Sequence, residues 1–146
     1  MFKGFGDFIP QDFLNLADEM YTHRDLFESN ISSVKRNIYG RIYYSIFLFV
    51  REWLKQNTAY VSYPFGEHKR MPMFIKNKGP FTDEQNEEIF RLFNQLKKLR
   101  HQSDYYLEIP NKYSKMYEDW VFEDIVDAFE IADYIIECFD NVETNN

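Results

Sequence analysis

Apolar residues recur along this chain mostly at intervals of three and four, so long α-helices are expected throughout. The first is predicted to open at Pro10, a residue suited to the first helical position, with Phe13, Leu14, Leu16, Ala17, Met20 and Tyr21 as its stripe. Glu28, Ser29 and Asn30 then break the pattern and offer capping side chains for a second helix, roughly Ile31 to Gln56. Tyr39, Tyr43, Ile46, Val50 and Trp53 fall on one of its faces, while Ile42, Phe47, Phe49 and Leu54 occupy others. A helix that is apolar nearly all round is buried nearly all round, by its own bundle or by a second subunit, so this one is read as central.

The helical period vanishes between Asn57 and Phe81, where Pro64, Gly66, Pro72, Gly79 and Pro80 punctuate the chain. That predicts a long connection with a short helix around His68 to Ile75. Connections this long in compact domains are usually functional or part of an interface. Thr82 to Gln85 form a T-x-x-Q capping box. The helix behind it should run to about Tyr105, with Ile89, Leu92, Phe93, Leu96 and Leu99 inward and Glu87, Arg91, Gln95 and Lys98 outward. Pro110 and Asn111 end the following turn. The last helix, about Tyr117 to Asn141, carries Trp120, Val121, Ile125, Ala128, Phe129, Ala132, Ile135, Ile136 and Phe139. Ala128 and Ala132, one turn apart, predict close approach to a neighbouring helix. The expected architecture is one all-α domain over residues 1–146: an up-and-down four- or five-helix bundle with one long crossover connection, a core of about residues 10–141 and a disordered tail at 142–146.

Composition sharpens this picture. With 15 Phe, 11 Tyr and 2 Trp, flat rings should fill the core and contribute to an interface. Five Gly and five Pro argue against a many-turned β protein. The single cysteine, Cys138, excludes an internal disulfide, fits a reducing compartment, and reads as a buried inert thiol beside Ile135, Ile136 and Phe139. Met1 to Pro10 lacks the apolar core of a signal peptide, and Ile42 to Leu54 is too short and interrupted to span a bilayer. A soluble, cytoplasmic protein with no membrane partner is expected.

The net charge of −7 speaks against a general coat for nucleic acid. The charge is nonetheless uneven. Lys35, Arg36, Arg41, Arg51 and Lys55 face Glu52 alone, and Arg91, Lys97, Lys98 and Arg100 form a second basic run. Acids gather late, at Glu118, Asp119, Glu123, Asp124, Asp127, Glu130, Asp133, Glu137 and Asp140. Either the two sets neutralise each other across the bundle, or the middle helices form a basic groove with the acidic helix facing away.

Common chemical signatures are missing: no Gly-rich phosphate loop, no H-E-x-x-H, no zinc spacing and no G-x-S-x-G elbow. No metal or cofactor is expected. His23, His68 and His101 lie far apart; His101 reads as a surface histidine and His68 as a turn or interface residue. Two segments stand out together. Arg36 to Phe47 reads R-N-I-Y-G-R-I-Y-Y-S-I-F, and Leu96 to Tyr105 reads L-K-K-L-R-H-Q-S-D-Y. On residue chemistry alone, Arg100 and Asp104 can pair at i, i+4, or Arg100 can turn its planar fork into a cleft and hold a phosphate. Tyr39, Tyr43 and Tyr44 can stack on Arg41 or orient it.

The two segments resemble the signature helices of the HEPN family, an R-x-Y-Y-x-x-F run and an L-x-x-L-R-x-x-A-D-Y end. Glu67 to Arg70, with Met73 and Phe74, is similar to that family's His-containing connection, so the likeness spans about residues 31 to 140. It implies a homodimer with Arg41, Tyr44, Arg100, Asp104 and Tyr105 in a ligand- or phosphate-binding cleft. It also implies a small nucleotidyltransferase as partner in a toxin–antitoxin or defence setting, with nucleotide or RNA as ligand and Tyr105 or Tyr106 as a residue the partner could modify. Many members are metal-independent ribonucleases in which Arg and a more distal His act together. Here the distal positions hold Tyr105, Tyr106 and Leu107, and a phenol is a poor base at neutral pH. A divergent ribonuclease using Arg100 and His101 therefore stands as the alternative, and a plain helical scaffold as the third reading.

Overall fold

The computed structural model describes residues 9–26, 31–105 and 114–142, with side chains at 9–26, 33–101 and 125–142. Among the described residues there are five helices: α1 (Pro10–Thr22), α2 (Ile31–Asn57), α3 (Glu67–Lys78), α4 (Asp83–Tyr105) and α5 (Ser114–Asp140). The protein is an all-α helical bundle. The expected turn residues Glu28, Ser29, Asn30, Pro110 and Asn111 lie outside the described residues, as do Tyr106, Leu107 and the tail beyond Val142.

Side-chain pairs fix how the helices run. The Ser45 hydroxyl of α2 donates to the Pro10 carbonyl at 2.7 Å, and Arg41 lies over Phe13, so α1 and α2 are antiparallel. Phe47 meets Phe93 while Tyr44, earlier in α2, meets Arg100, later in α4; these two helices are antiparallel as well. Glu88 accepts from Tyr134, and Phe81 packs on Phe139, which sets α4 against α5 in the same way. The four long helices therefore run up, down, up, down. The long connection between α2 and α4 holds α3, which packs on α4.

α2 is the hub, in contact with α1, α4 and α5. Ile38, Tyr39, Ile42, Tyr43, Ile46, Phe47, Phe49, Val50 and Leu54 are all buried, which is the burial nearly all round that its pattern predicts. α4 buries Ile89, Phe93, Leu96 and Leu99, with Leu92 half-buried. α5 buries Ala128 and Ala132 completely, and α5 lies directly against α2. Burial of each large apolar side chain contributes about 1.5–3 kcal/mol. Cys138 is half-buried rather than fully enclosed; burial raises its thiol pKa. Among the described residues no helix is long and apolar enough to cross a membrane.

The turn from α3 into α4 is held by one buried amide. Asn86 donates through Nδ2 to the carbonyls of Gly79 (3.2 Å) and Phe81 (3.3 Å), and its Oδ1 accepts from the Phe81 N–H at 3.1 Å. The fit leaves no room for a side chain at Gly79, whose added Cβ would come within 2.4 Å of both Asn86 Oδ1 and the Ile75 carbonyl. Thr82 caps α4 as the box predicts, accepting from the Gln85 N–H at 3.2 Å. Truncating Asn86 leaves two carbonyls and an N–H without their partner, and each such loss inside a protein costs about 1–3 kcal/mol. Asn86→Ala should lower the unfolding free energy in urea by about 2–3 kcal/mol, whereas the exposed Gln95→Ala should shift it by less than about 0.5.

Candidate functional site

The two segments singled out in the sequence meet at one corner of the bundle, and α3 joins them there. Tyr43 is fully buried on α2 and must place its hydroxyl on a partner. That partner is Nδ1 of His68, 2.6 Å away in the first turn of α3. The imidazole stacks on Phe47 with ring centres 4.2 Å apart and meets Tyr44 edge-on at 6.1 Å. Arg100 of α4 lies over both tyrosines, its Cζ 5.3 Å from the Tyr43 ring centre and 4.8 Å from that of Tyr44. The rings of Tyr43 and Tyr44 stand nearly perpendicular, so the guanidinium sits in an aromatic corner.

The position of α3 depends on its own sequence. Gly66 precedes it with φ +73°, a left-handed turn that a Cβ would strain. Pro72 lies inside the helix and has no N–H for the His68 carbonyl four residues earlier. Lys97 of α4 supplies the missing donor, its Nζ 3.3 Å from that oxygen. The proline thus frees a carbonyl through which α4 grips α3 at the histidine itself. On the other side, Glu67 accepts from the Tyr60 hydroxyl at 2.7 Å and pairs with Arg51 at 3.4 Å. Burial pushes the Glu67 pKa up, but those partners outweigh it and hold the carboxyl below its ordinary range.

Protonation follows from the surroundings. Burial raises the Tyr43 pKa well above the ordinary phenol range, more than Arg100 lowers it. Burial also lowers the His68 pKa, and the cations Arg100 and Lys97 lower it further. His68 is therefore neutral at pH 7 and the phenol protonated. Which of the two groups donates in their shared hydrogen bond follows the tautomer: a ring proton on Nε2 makes the phenol the donor to Nδ1.

Next to this corner is a cleft of about 310 Å³ between α1 and α2, lined by Phe13, Arg36, Asn37, Gly40, Arg41 and Tyr44. Two of these side chains are cations and none is a carboxylate. Arg41 Nε is buried there without a hydrogen-bond partner among the described residues, and its guanidinium lies 5.7 Å from the Phe13 ring. Tyr44 forms a wall of this cleft and also carries Arg100.

The residues expected from sequence divide as follows. Arg41, Tyr44 and Arg100 converge around Tyr44. His101 is exposed on the position after Arg100. Asp104 and Tyr105 lie in the last turn of α4, and their side chains fall outside the described residues. His68 is not a turn residue: it belongs to α3 and packs on the α2 aromatics. Sequence reasoning also missed Lys97 as the partner of the carbonyl freed by Pro72; the signal was the proline itself. Among the described residues no group of His, Cys, Asp and Glu could hold a metal ion. The acids of α5 from Asp127 to Asp140 are exposed, and no ion pair among the described residues links them to the basic runs.

No protein-family model, curated protein or solved structure matches this chain.

A histidine whose pKa is lower in the folded state than in the unfolded chain holds fewer protons when folded. Its contribution is complete above the unfolded value near 6.5 and declines as pH falls below it. Unfolding free energy should therefore drop between pH 7 and pH 5, and the difference between wild type and His68→Gln should narrow over that range. A pH-independent difference in denaturant titrations would show that His68 is not held neutral.

Proposed function

We propose that the protein is a HEPN-type helical binding and dimerisation module that holds the phosphate of a nucleotide or RNA at the Arg100–Tyr44 corner. Its partner is a small nucleotidyltransferase, in a toxin–antitoxin or defence setting in the cytoplasm. The observation that carries this reading is Arg100 poised over Tyr43 and Tyr44 beside His68, because it joins the two segments on which the HEPN resemblance rests. The chemistry supports it. The planar fork of arginine suits bidentate hydrogen bonds to phosphate oxygens, and charge-assisted bonds of this kind are strong. Arg36 and Arg41 sit on the other side of Tyr44 and extend the positive field.

A neutral imidazole whose Nδ1 accepts from Tyr43 carries its proton on Nε2 and can donate it to a phosphate oxygen, which suits binding. The second reading, a divergent metal-independent ribonuclease, is favoured by a single observation: an imidazole beside Arg100. In that case His68, and not His101, is the better candidate to act with the arginine.

Calorimetric titration with a nucleoside 5′-monophosphate should give binding to the wild-type protein. It should be at least tenfold weaker for Arg100→Ala and unchanged for the exposed Lys98→Ala; equal affinity in all three would remove the site. Incubation with RNA separates the ribonuclease reading: cleavage by wild type that is lost in both Arg100→Ala and His68→Gln would establish it, and cleavage equal in all would dismiss it. Co-expression with a nucleotidyltransferase encoded beside this chain should add the mass of a nucleotidyl group to Tyr105 or Tyr106 in intact-mass analysis. An unchanged mass beside an active partner would refute that modification.

A further inference from the structure

The outward face of α3 carries chemistry that the Arg100 corner does not use. Residues 58–82 contain four cations, Lys69, Arg70, Lys76 and Lys78, and a single carboxylate, Glu67, in a chain of net charge −7. Glu67 is engaged by Arg51 and Tyr60, so the exposed charge of this segment is positive. An open groove of about 510 Å³ runs along it, with Lys69, Arg70 and Lys78 among its lining residues and no carboxylate.

Beside the cations stand exposed rings. Phe65 is 84 % exposed and Tyr63 41 %, both on the approach to α3, and Met73 adds further apolar surface. The Arg70 guanidinium lies 4.6 Å from the Tyr63 ring centre. Tyr60 packs edge-on against Tyr63 and Phe74, so Tyr63 is anchored to the helix. The Phe65 ring, almost wholly in solvent, is available to a flat partner.

We propose that this groove binds single-stranded nucleic acid, with bases stacked on Tyr63 and Phe65 and backbone phosphates on Lys69, Arg70 and Lys78. Cations beside accessible rings match a single strand, in which every base has a π-face and every step a phosphate. A duplex hides its base faces, and an acidic peptide would engage the cations while leaving the rings unmatched. The groove extends the nucleotide reading to a second surface but uses none of the Arg100 residues. His68 precedes Lys69 and faces the Arg100 corner, so a strand in the groove passes within about one helix diameter, roughly 10 Å, of that corner.

Fluorescence anisotropy with labelled 12-nucleotide oligouridine and oligodeoxythymidine tests the proposal on the full chain. Wild type should bind at low salt and weaken as salt rises. Arg70→Glu should bind at least tenfold more weakly with a shallower salt dependence, and Phe65→Ala should bind several-fold more weakly with the slope unchanged. Arg100→Ala should retain the groove's share of oligonucleotide binding while losing mononucleotide binding. Circular dichroism confirms that each variant is folded, since all the altered side chains in the groove are exposed. The proposal is overturned if neither oligonucleotide binds, if Arg70→Glu and Phe65→Ala bind as wild type does, or if poly-glutamate competes as well as the oligonucleotide, which would assign the surface to an acidic protein. Failure of the mononucleotide titration alone removes the Arg100 site and leaves the groove standing.

Discussion

A phenol buried among hydrocarbon and aromatic rings must find a hydrogen-bond partner, and in this bundle the Tyr43 hydroxyl finds the Nδ1 of His68. That bond ties α3 to the central helix. It holds the imidazole where it stacks on Phe47. Lys97 closes the triangle from α4 by donating to the carbonyl of the same histidine. Three helices are thereby pinned at one residue. Arg100 lies over Tyr43 and Tyr44 beside this junction.

The helices were legible because each long one carries a strong apolar period. α1 begins at Pro10 as its proline predicts, and α4 begins at its capping box. The long connection was legible as irregular, but the length of α3 was not, since Pro72 lies within it and reads as a breaker. A proline six residues into a helix is tolerated here because the carbonyl it leaves unbonded is satisfied by Lys97, a residue from another helix. No local pattern encodes such a tertiary rescue. The same holds for Asn86: as a polar residue near a helix start it reads as exposed, yet it is buried with both ends of its amide engaged by the turn before it.

The site was legible in part. Arg41, Tyr44 and Arg100 were recognisable as a set because two short segments resembled a family pattern, and the fold brings them around one tyrosine. His68 was read as a turn or interface residue because an isolated histidine between Pro and Gly residues carries no periodic signal. Its role arises from a partner 25 residues earlier and a cation 32 residues later, in helices that neither segment specifies alone. The cations of α3 are plain in the sequence, but their common exposure along one groove depends on how α3 packs on α4, which no local pattern encodes.

Net charge and local charge lead to opposite expectations for this molecule, and the fold explains why both hold. The described acids of α5, Asp127 to Asp140, are exposed, while Arg41 of α2 and Arg100 of α4 lie over aromatic rings. Rings hold these side chains through their quadrupoles. Arg51 of the same α2 shows the other arrangement, over Phe47 and also paired with Glu52 and Glu67. The middle helices thus seat arginines on tyrosine and phenylalanine as well as on carboxylates, and aromatic seating is what lets α2 pack its cations close to the core of an acidic protein.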